Sequence, residues 1–353
     1  MITKPTVLIL GAGASKPYGY PLGTALSQRL FDDSLFSDAI KACELTRQDA
    51  LSFCETFRYS GMPSIDAFLS RRGHDKTTSG QVTFEFVGKL GIALALRELA
   101  TFDGLFHRWV NAKADHIDVD DNWYQYLWGR LTEGVTKENI DRFGENQLKV
   151  VTFNYDTSLE QYLFTALKNA YGLNDIQAMS HLSRIPIHHV YGCLKFGTNE
   201  LCPDQLMYGV GGRDLASDDS DSILVIDEHR DDSVPVLQAC FNAIAHADRI
   251  VCLGFGFDSV NVRRLGIAKA LRDRYEMQFQ DSAKRAPDVI CTTLGLTPWE
   301  RSQIHELVFG GVQELGAEHA LVRNHFLEKT MALLTEHADC KSLKLLRSSG
   351  ALG

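Results

Sequence analysis

Four short signatures in this chain carry residue types and spacings that could do chemistry: Gly11-Ala12-Gly13-Ala14-Ser15, Asn154-Tyr155-Asp156, Tyr191-Gly192 and Gly254-Phe255-Gly256-Phe257-Asp258. The first sets backbone N–H groups and a helix start where a phosphate could sit. The bland alternative is a tight turn between strand and helix. A dehydrogenase fingerprint would carry a third glycine at position 16, and Lys16 stands there. Asp32 and Asp33 follow in a helical context rather than at the end of a second strand, so hydride transfer is disfavoured. Asn154 and Asp156 are two residues apart after a strand and are expected to point the same way. Asn both donates and accepts, so it can hold a ribose hydroxyl or a water. The alternative is an Asx turn with a cap for the next helix. Asp258 reads as the N-cap of a helix from Val260 to Ala270. Thr292 and Thr293 follow the last strand, where they could line an adenine pocket.

The elements that must position these residues are short apolar strands alternating with helices. Val7–Leu10, Val150–Phe153, Ile185–Val190, Arg249–Leu253 and Asp288–Thr292 read as strands. They are apolar on both faces, which predicts an α/β fold: a Rossmann-like parallel sheet covered by helices on both faces. Ligands bind such sheets at the carboxyl ends of the strands, and all four signatures follow strands directly. A helix is expected from about Leu22, with Ala25, Leu26, Leu30 and Phe31 on one face. Residues 32–147 lose the strand pattern and read as a large helical insertion. Ser64 caps a helical stretch at Ile65–Leu69, Phe84–Leu99 is a long helix with Val87, Leu90 and Leu94 inward, and Trp123–Leu131 is rich in aromatics. Helices are also expected over 158–170 and 234–247. The expected organisation is therefore a core from 1–31 plus 148–298, the insertion 32–147, and a helical tail 299–353 that ends short and basic. Residues 213–233 are acidic and loop-like around a short strand at 223–226. They suit a solvated loop, with a lid or a strip for a basic partner as the sharper alternatives.

The chain has 353 residues, 44% hydrophobic and 23% charged, with 36 Lys plus Arg against 45 Asp plus Glu and a formal charge of −9. An acidic balance argues against direct nonspecific binding of nucleic acid. No apolar run approaches the roughly 20 residues of a membrane span. The Thr6–Leu10 run is too short for a signal peptide, and the eight cysteines form no C-x-x-C pair. A cytoplasmic protein without a metal site is the expectation.

Taken in order, Gly11–Ser15 with Gly19-x-Pro21, Thr152-Phe153-Asn154-Tyr155-Asp156, Val190-Tyr191-Gly192 and Gly254-Phe255-Gly256 resemble the sirtuin-like family. More narrowly they resemble the bacterial sirtuin-like NAD hydrolases of anti-phage defence, to which the Ser64–Leu69 stretch is also similar. Two departures separate the chain from the deacylase branch. It lacks a four-cysteine zinc module, and Leu22-Gly23-Thr24 follows Pro21 where deacylases continue with acidic and basic residues. The resemblance implies cleavage of NAD to nicotinamide and ADP-ribose, with no metal. It also implies that Gly11, Ala12, Gly13, Ala14, Ser15, Pro21, Thr152, Gly192, Gly254, Gly256 and Thr292 bind the dinucleotide. Asn154 would orient ribose and water, and Asp156 would orient the site or stabilise developing positive charge.

The family's general-base His is replaced by Tyr191. Tyr ionises near pH 10 and is a poor base at neutral pH. His189 should share its face about 6.5 Å back along the strand, which allows a Tyr191–His189 relay or, alternatively, a core histidine. His188 should point the other way. The oxocarbenium-like transition state needs charge stabilisation and a positioned water more than a strong base. The expectation is a gated effector that depletes NAD, working as a homo-oligomer or with a separately encoded sensor protein, because the segment after the last strand is short for a sensing domain. The alternative is a catalytically impaired subunit that binds NAD or ADP-ribose as a sensor or scaffold.

Overall fold

The apolar runs Thr6–Leu10 (β1), Leu148–Thr152 (β2), Ile187–His189 (β3), Arg249–Leu253 (β4) and Asp288–Cys291 (β5) pair in the order β3-β2-β1-β4-β5, all parallel. The computed structural model describes residues 1–37, 39–42, 45–99, 102–106, 119–194, 235–280, 286–313 and 340–353. The expected acidic segment 213–233, its strand at 223–226 and the tail from 314 to 336 lie outside them.

The register does most of the work of positioning. Leu10 pairs with Thr152 on one side and Leu253 on the other, so Gly11 and Gly254 leave the sheet side by side. Thr152 pairs with His189, and Cys252 with Cys291, which sets Thr292 beside the end of β4. The chain runs from β1 out to β2 and β3, then returns across β1 to β4. The gap between β1 and β4 is thus the topological switch point, where such sheets leave room for a ligand.

Both faces of the sheet are covered, as the apolar strands require. Leu8, Leu10 and Val150 face one core, and Val7, Ile9, Ile250, Cys252 and Val289 face the other. The second core is closed by helices Pro235–Ala245, Ser259–Arg264, Ile267–Gln280 and Pro298–Gln313.

Between β1 and β2 the regular elements among the described residues are helices, with Lys76 and Thr83 forming an isolated antiparallel bridge. Helix Arg47–Tyr59 opens in a capping box between Thr46 and Asp49, and Ile65–Arg72 starts where Ser64 accepts the Ala67 N–H at 3.1 Å. These helices bring Phe53, Phe57, Phe68 and Phe84 together with ring centroids 5.1–6.2 Å apart. Each buried ring contributes about 1.5–3 kcal/mol of transfer free energy. They belong to the same contiguous cluster as Leu8 and Val150, so the insertion builds on the sheet's own core.

Three local expectations change. In helix Gly23–Arg29 and its C-cap, Leu26 and Leu30 are buried as expected, but Ala25 is exposed and Ser27 buried, so the inward face runs through Leu26, Ser27 and Leu30. The helix expected over Val260–Ala270 is two helices: Gly266 at φ 62° breaks it, a conformation that glycine adopts without strain. The last residues form a helix, Ser342–Ser348, whose Leu345 and Leu346 are fully buried beside helix Trp123–Leu131. No helix among the described residues is long and apolar enough to cross a membrane.

Candidate functional site

Two glycine turns meet at the switch point. Gly11 donates to the Leu253 carbonyl at 3.0 Å and Gly13 to the Gly254 carbonyl at 3.1 Å. A Cβ on Gly11 would lie 2.5 Å from the Gly254 carbonyl oxygen, and one on Gly13 would lie 2.7 Å from the Gly254 Cα. Gly254 has φ 56°, and its own Cβ would come within 2.1 Å of the Ala14 nitrogen. The two backbones touch because neither carries a side chain there. Thr292 tightens the contact by accepting the Gly254 N–H at 2.7 Å. Phe255 and Phe257 anchor the second turn: the Phe255 ring stacks on Phe153 at 5.0 Å and packs against Phe257 at 4.9 Å. Burial of its ring holds Phe257 at φ 51°, a conformation uncommon outside glycine. Asp258 caps the following helix, accepting the N–H groups of Val260 and Asn261, as read from the sequence.

These turns wall a cleft of about 520 Å³, within the roughly 300–1,000 Å³ typical of small-molecule sites. Of the expected binding residues, Ala12, Gly13, Gly254, Gly256 and Thr292 line it, and Lys16, Thr293 and Lys341 line it with them. Gly11, Ala14, Ser15, Pro21, Thr152 and Gly192 are not part of the lining, and neither are the expected catalytic residues Asn154, Asp156, His189 and Tyr191, which lie behind it. Because the Gly11 and Gly13 N–H groups are already bonded, the expected backbone cradle is narrower than the glycine pattern implied. The helix that follows, Ala12–Ser15, is a single turn and carries little dipole. Among the described residues, positive charge in the lining comes from Lys16 and Lys341 and negative charge from Asp121.

Behind the first turn lies a buried polar network. The Asn154 Nδ2 donates to the Gly11 carbonyl at 3.0 Å and to the Ser15 Oγ at 2.9 Å. Ser15 in turn donates to the Asp156 Oδ1 at 3.2 Å, so the two residues converge on one hydroxyl. Asp156 also accepts the Ser158 N–H, which makes the Asx turn that was the alternative reading, and the Ser158 hydroxyl. Ser158 reaches Tyr124 at 2.6 Å, and the Trp123 indole N–H donates to the Ala14 carbonyl at 2.8 Å, so the insertion braces the turn. Burial pushes the Asp156 carboxyl up from its ordinary value, against the bonds from Ser158 and Ser15. Thr152 accepts the Asn154 main-chain N–H at 3.1 Å.

The two candidates for proton transfer are both engaged elsewhere. The His189 Nδ1 lies 2.9 Å from the Asn154 carbonyl and its Nε2 lies 2.6 Å from Glu160 Oε1. Tyr191 donates its hydroxyl to Asn261 and accepts from Arg264 at 3.1 Å. Burial raises the Tyr191 phenol above its usual range, against the pull of Arg264. The relay between Tyr191 and His189 is therefore not formed: each group bonds to other partners, and for His189 the alternative, a satisfied core histidine, is the arrangement seen. Gly192 turns the chain at φ 71°.

Four neighbours of these groups were not singled out in the sequence. Glu160, Asn261 and Arg264 sit one or two helical turns past their motifs, where only the fold reveals what they face. Asp66 lies in the Ser64–Leu69 stretch and accepts the Tyr155 hydroxyl at 3.2 Å. Burial and the nearby Asp258 raise its carboxyl, against that bond. The resemblance of the stretch was its only signal. Among the described residues no group of His, Cys, Asp or Glu has the arrangement to hold a metal ion. Comparison with protein-family models and with curated proteins gives no match.

Proposed function

We propose that this protein binds NAD at the β1–β4 cleft and hydrolyses its nicotinamide–ribose bond, releasing nicotinamide and ADP-ribose. The observation that carries this reading is the backbone contact between the Gly11–Gly13 and Gly254 turns, which opens a ligand-sized cleft at the switch point. The diphosphate lies along Ala12, Gly13 and Gly254 with Lys16 beside it, and the adenosine half rests towards Thr292 and Thr293. Asn154 has its Nδ2 committed to Gly11 and Ser15, so its Oδ1 is the atom left to hold a ribose hydroxyl or the attacking water. Asp156 orients the site from behind the first turn, through the hydroxyl of Ser15. The activity serves anti-phage defence in the cytoplasm by depleting NAD, gated by self-assembly or by a separately encoded sensor.

A second reading is favoured by one specific observation. Tyr191 and His189 are both saturated by protein partners, which suits a subunit that binds NAD or ADP-ribose without turning it over. Purified protein is incubated with NAD, alone and with the products of neighbouring genes, and nicotinamide release is followed alongside equilibrium binding. Release that disappears in Asn154→Ala supports hydrolysis, and tight binding without release under every condition supports the binder. Absence of binding removes both.

A further inference from the structure

Asn154 stands two residues past the end of β2, outside the sheet's hydrogen-bond ladder, yet nearly every polar group it has is tied. Its N–H goes to Thr152 at 3.1 Å and its Nδ2 goes to Gly11 and Ser15. Its carbonyl meets the His189 Nδ1 at 2.9 Å. A carbonyl only accepts, so Nδ1 must carry a proton. The other ring nitrogen faces the Glu160 Oε1 at 2.6 Å, and a carboxylate also only accepts. With a carboxylate on that side, the ring is an imidazolium between two acceptors, with side-chain exposures of 10% for His189 and 13% for Glu160. The register makes this possible: Thr152 pairs with His189, which sets the imidazole beside the backbone just past β2.

We propose that Glu160 and His189 form a positioning clamp, in which a protonated imidazole held by the Glu160 carboxylate grips the Asn154 carbonyl and fixes where the Asn154 Oδ1 points. The clamp's effect on catalysis rests on the hydrolase reading above; the clamp itself does not. His189 is then a positioning residue with no free nitrogen to act as a base. The surrounding charges agree. Burial disfavours the imidazolium, but Glu160, the Asn154 carbonyl and Asp156 outweigh it and hold His189 above the ordinary imidazole value. His188, next to it on the same strand, is held below its ordinary value by burial and Lys149. As pH rises through the raised His189 value the ring loses one proton, its bare Nε2 meets the carboxylate, and the grip on Asn154 weakens.

Glu160→Gln separates the clamp from a merely structural pair. A Gln amide can donate to Nε2, so a neutral ring still holds the Asn154 carbonyl and the need for the second proton disappears. The full chain is titrated by imidazole NMR, with the His189 signal assigned by its loss in His189→Asn. In the wild type it titrates above the ordinary value of about 6.5, and in Glu160→Gln it moves down. In nicotinamide release, Glu160→Gln loses the alkaline decline that the wild type shows. His189→Ala lowers kcat by roughly 10- to 100-fold with little change in KM, the scale of a misplaced reacting group. His189→Asn, which retains a donor near the Nδ1 position, recovers part of that loss. A His189 signal at or below 6.5 that ignores Glu160→Gln overturns the clamp, as does His189→Ala with unchanged kcat. If the wild type releases no nicotinamide, the hydrolase reading fails while the NMR titration still decides the clamp.

Discussion

Replacing Gly254 by Ala tests the contact on which the cleft depends. The added Cβ would sit 2.1 Å from the Ala14 nitrogen, 2.2 Å from the Gly13 carbonyl carbon and 2.4 Å from the Gly13 Cα. All three are backbone atoms, so no side chain can swing aside. Ordinary contact begins near 3.4 Å, and the Gly11–Ser15 turn has to retreat by about 1 Å or more. That retreat strains or breaks the Gly13-to-Gly254 hydrogen bond, worth about 1 kcal/mol. Alanine at φ 56° adds about 1–2 kcal/mol, and the overpacking itself about 1–3 kcal/mol. The expected destabilisation is therefore about 3–6 kcal/mol. Gly256→Ala is the matched control: its Cβ meets nothing within 4 Å and its backbone is not left-handed, so stability should change by less than about 1 kcal/mol. Equilibrium denaturation of the two variants and the wild type, read as the shift in midpoint at constant slope, measures the difference. Equal stabilities for Gly254→Ala and Gly256→Ala would mean that the two turns do not touch as described.

Thr292→Val removes the acceptor of the half-buried Gly254 N–H and should cost about 1 kcal/mol in denaturant; an unchanged midpoint counts against the tie. Asp156 carries a raised pKa, so the folded state binds its proton more tightly than the unfolded chain does. Stability should fall as pH rises from about 3.8 through the folded value, and Asp156→Asn should flatten that slope in denaturation series across pH. Tyr191→Phe leaves Asn261 and Arg264 without the hydroxyl and should cost about 1–2 kcal/mol of stability. On the reading that Tyr191 is no base, nicotinamide release should change by less than about threefold in that variant, and a loss of 100-fold or more would show that the phenol takes part. Lys16→Ala should weaken NAD binding most at low salt, by up to tenfold in a titration, since its charge faces solvent.

The α/β architecture was legible because the four strands besides the edge strand β3 are largely buried and apolar, and glycine or polar residues follow close behind the strands. A buried parallel strand needs the first property, and a ligand-bearing sheet edge tends to show the second. Local signals held where a single side chain decides the outcome: Ser64 and Asp258 cap the helices they were read to cap, since a capping bond spans only two or three residues. The break at Gly266 was missed because an isolated glycine in a helical pattern does not announce its φ. The candidate site was legible in its parts. Asn154 and Asp156 do share a side, and both meet Ser15. Which of the motif residues face the cleft was not legible, because that depends on whose N–H groups the neighbouring strand has already taken.

Periodicity and turn chemistry are local, and so the chain's order of residues determined by itself that strands end in glycine turns and where the helices begin. Strand order and register are non-local. Only the packed sheet decided that Gly11 would lie against Gly254, that His189 would stand between the Asn154 carbonyl and Glu160, and that Tyr191 would turn to Asn261 and Arg264. Those contacts join residues from 29 to more than 200 positions apart, and no spacing along the chain encodes the angle at which two distant side chains meet.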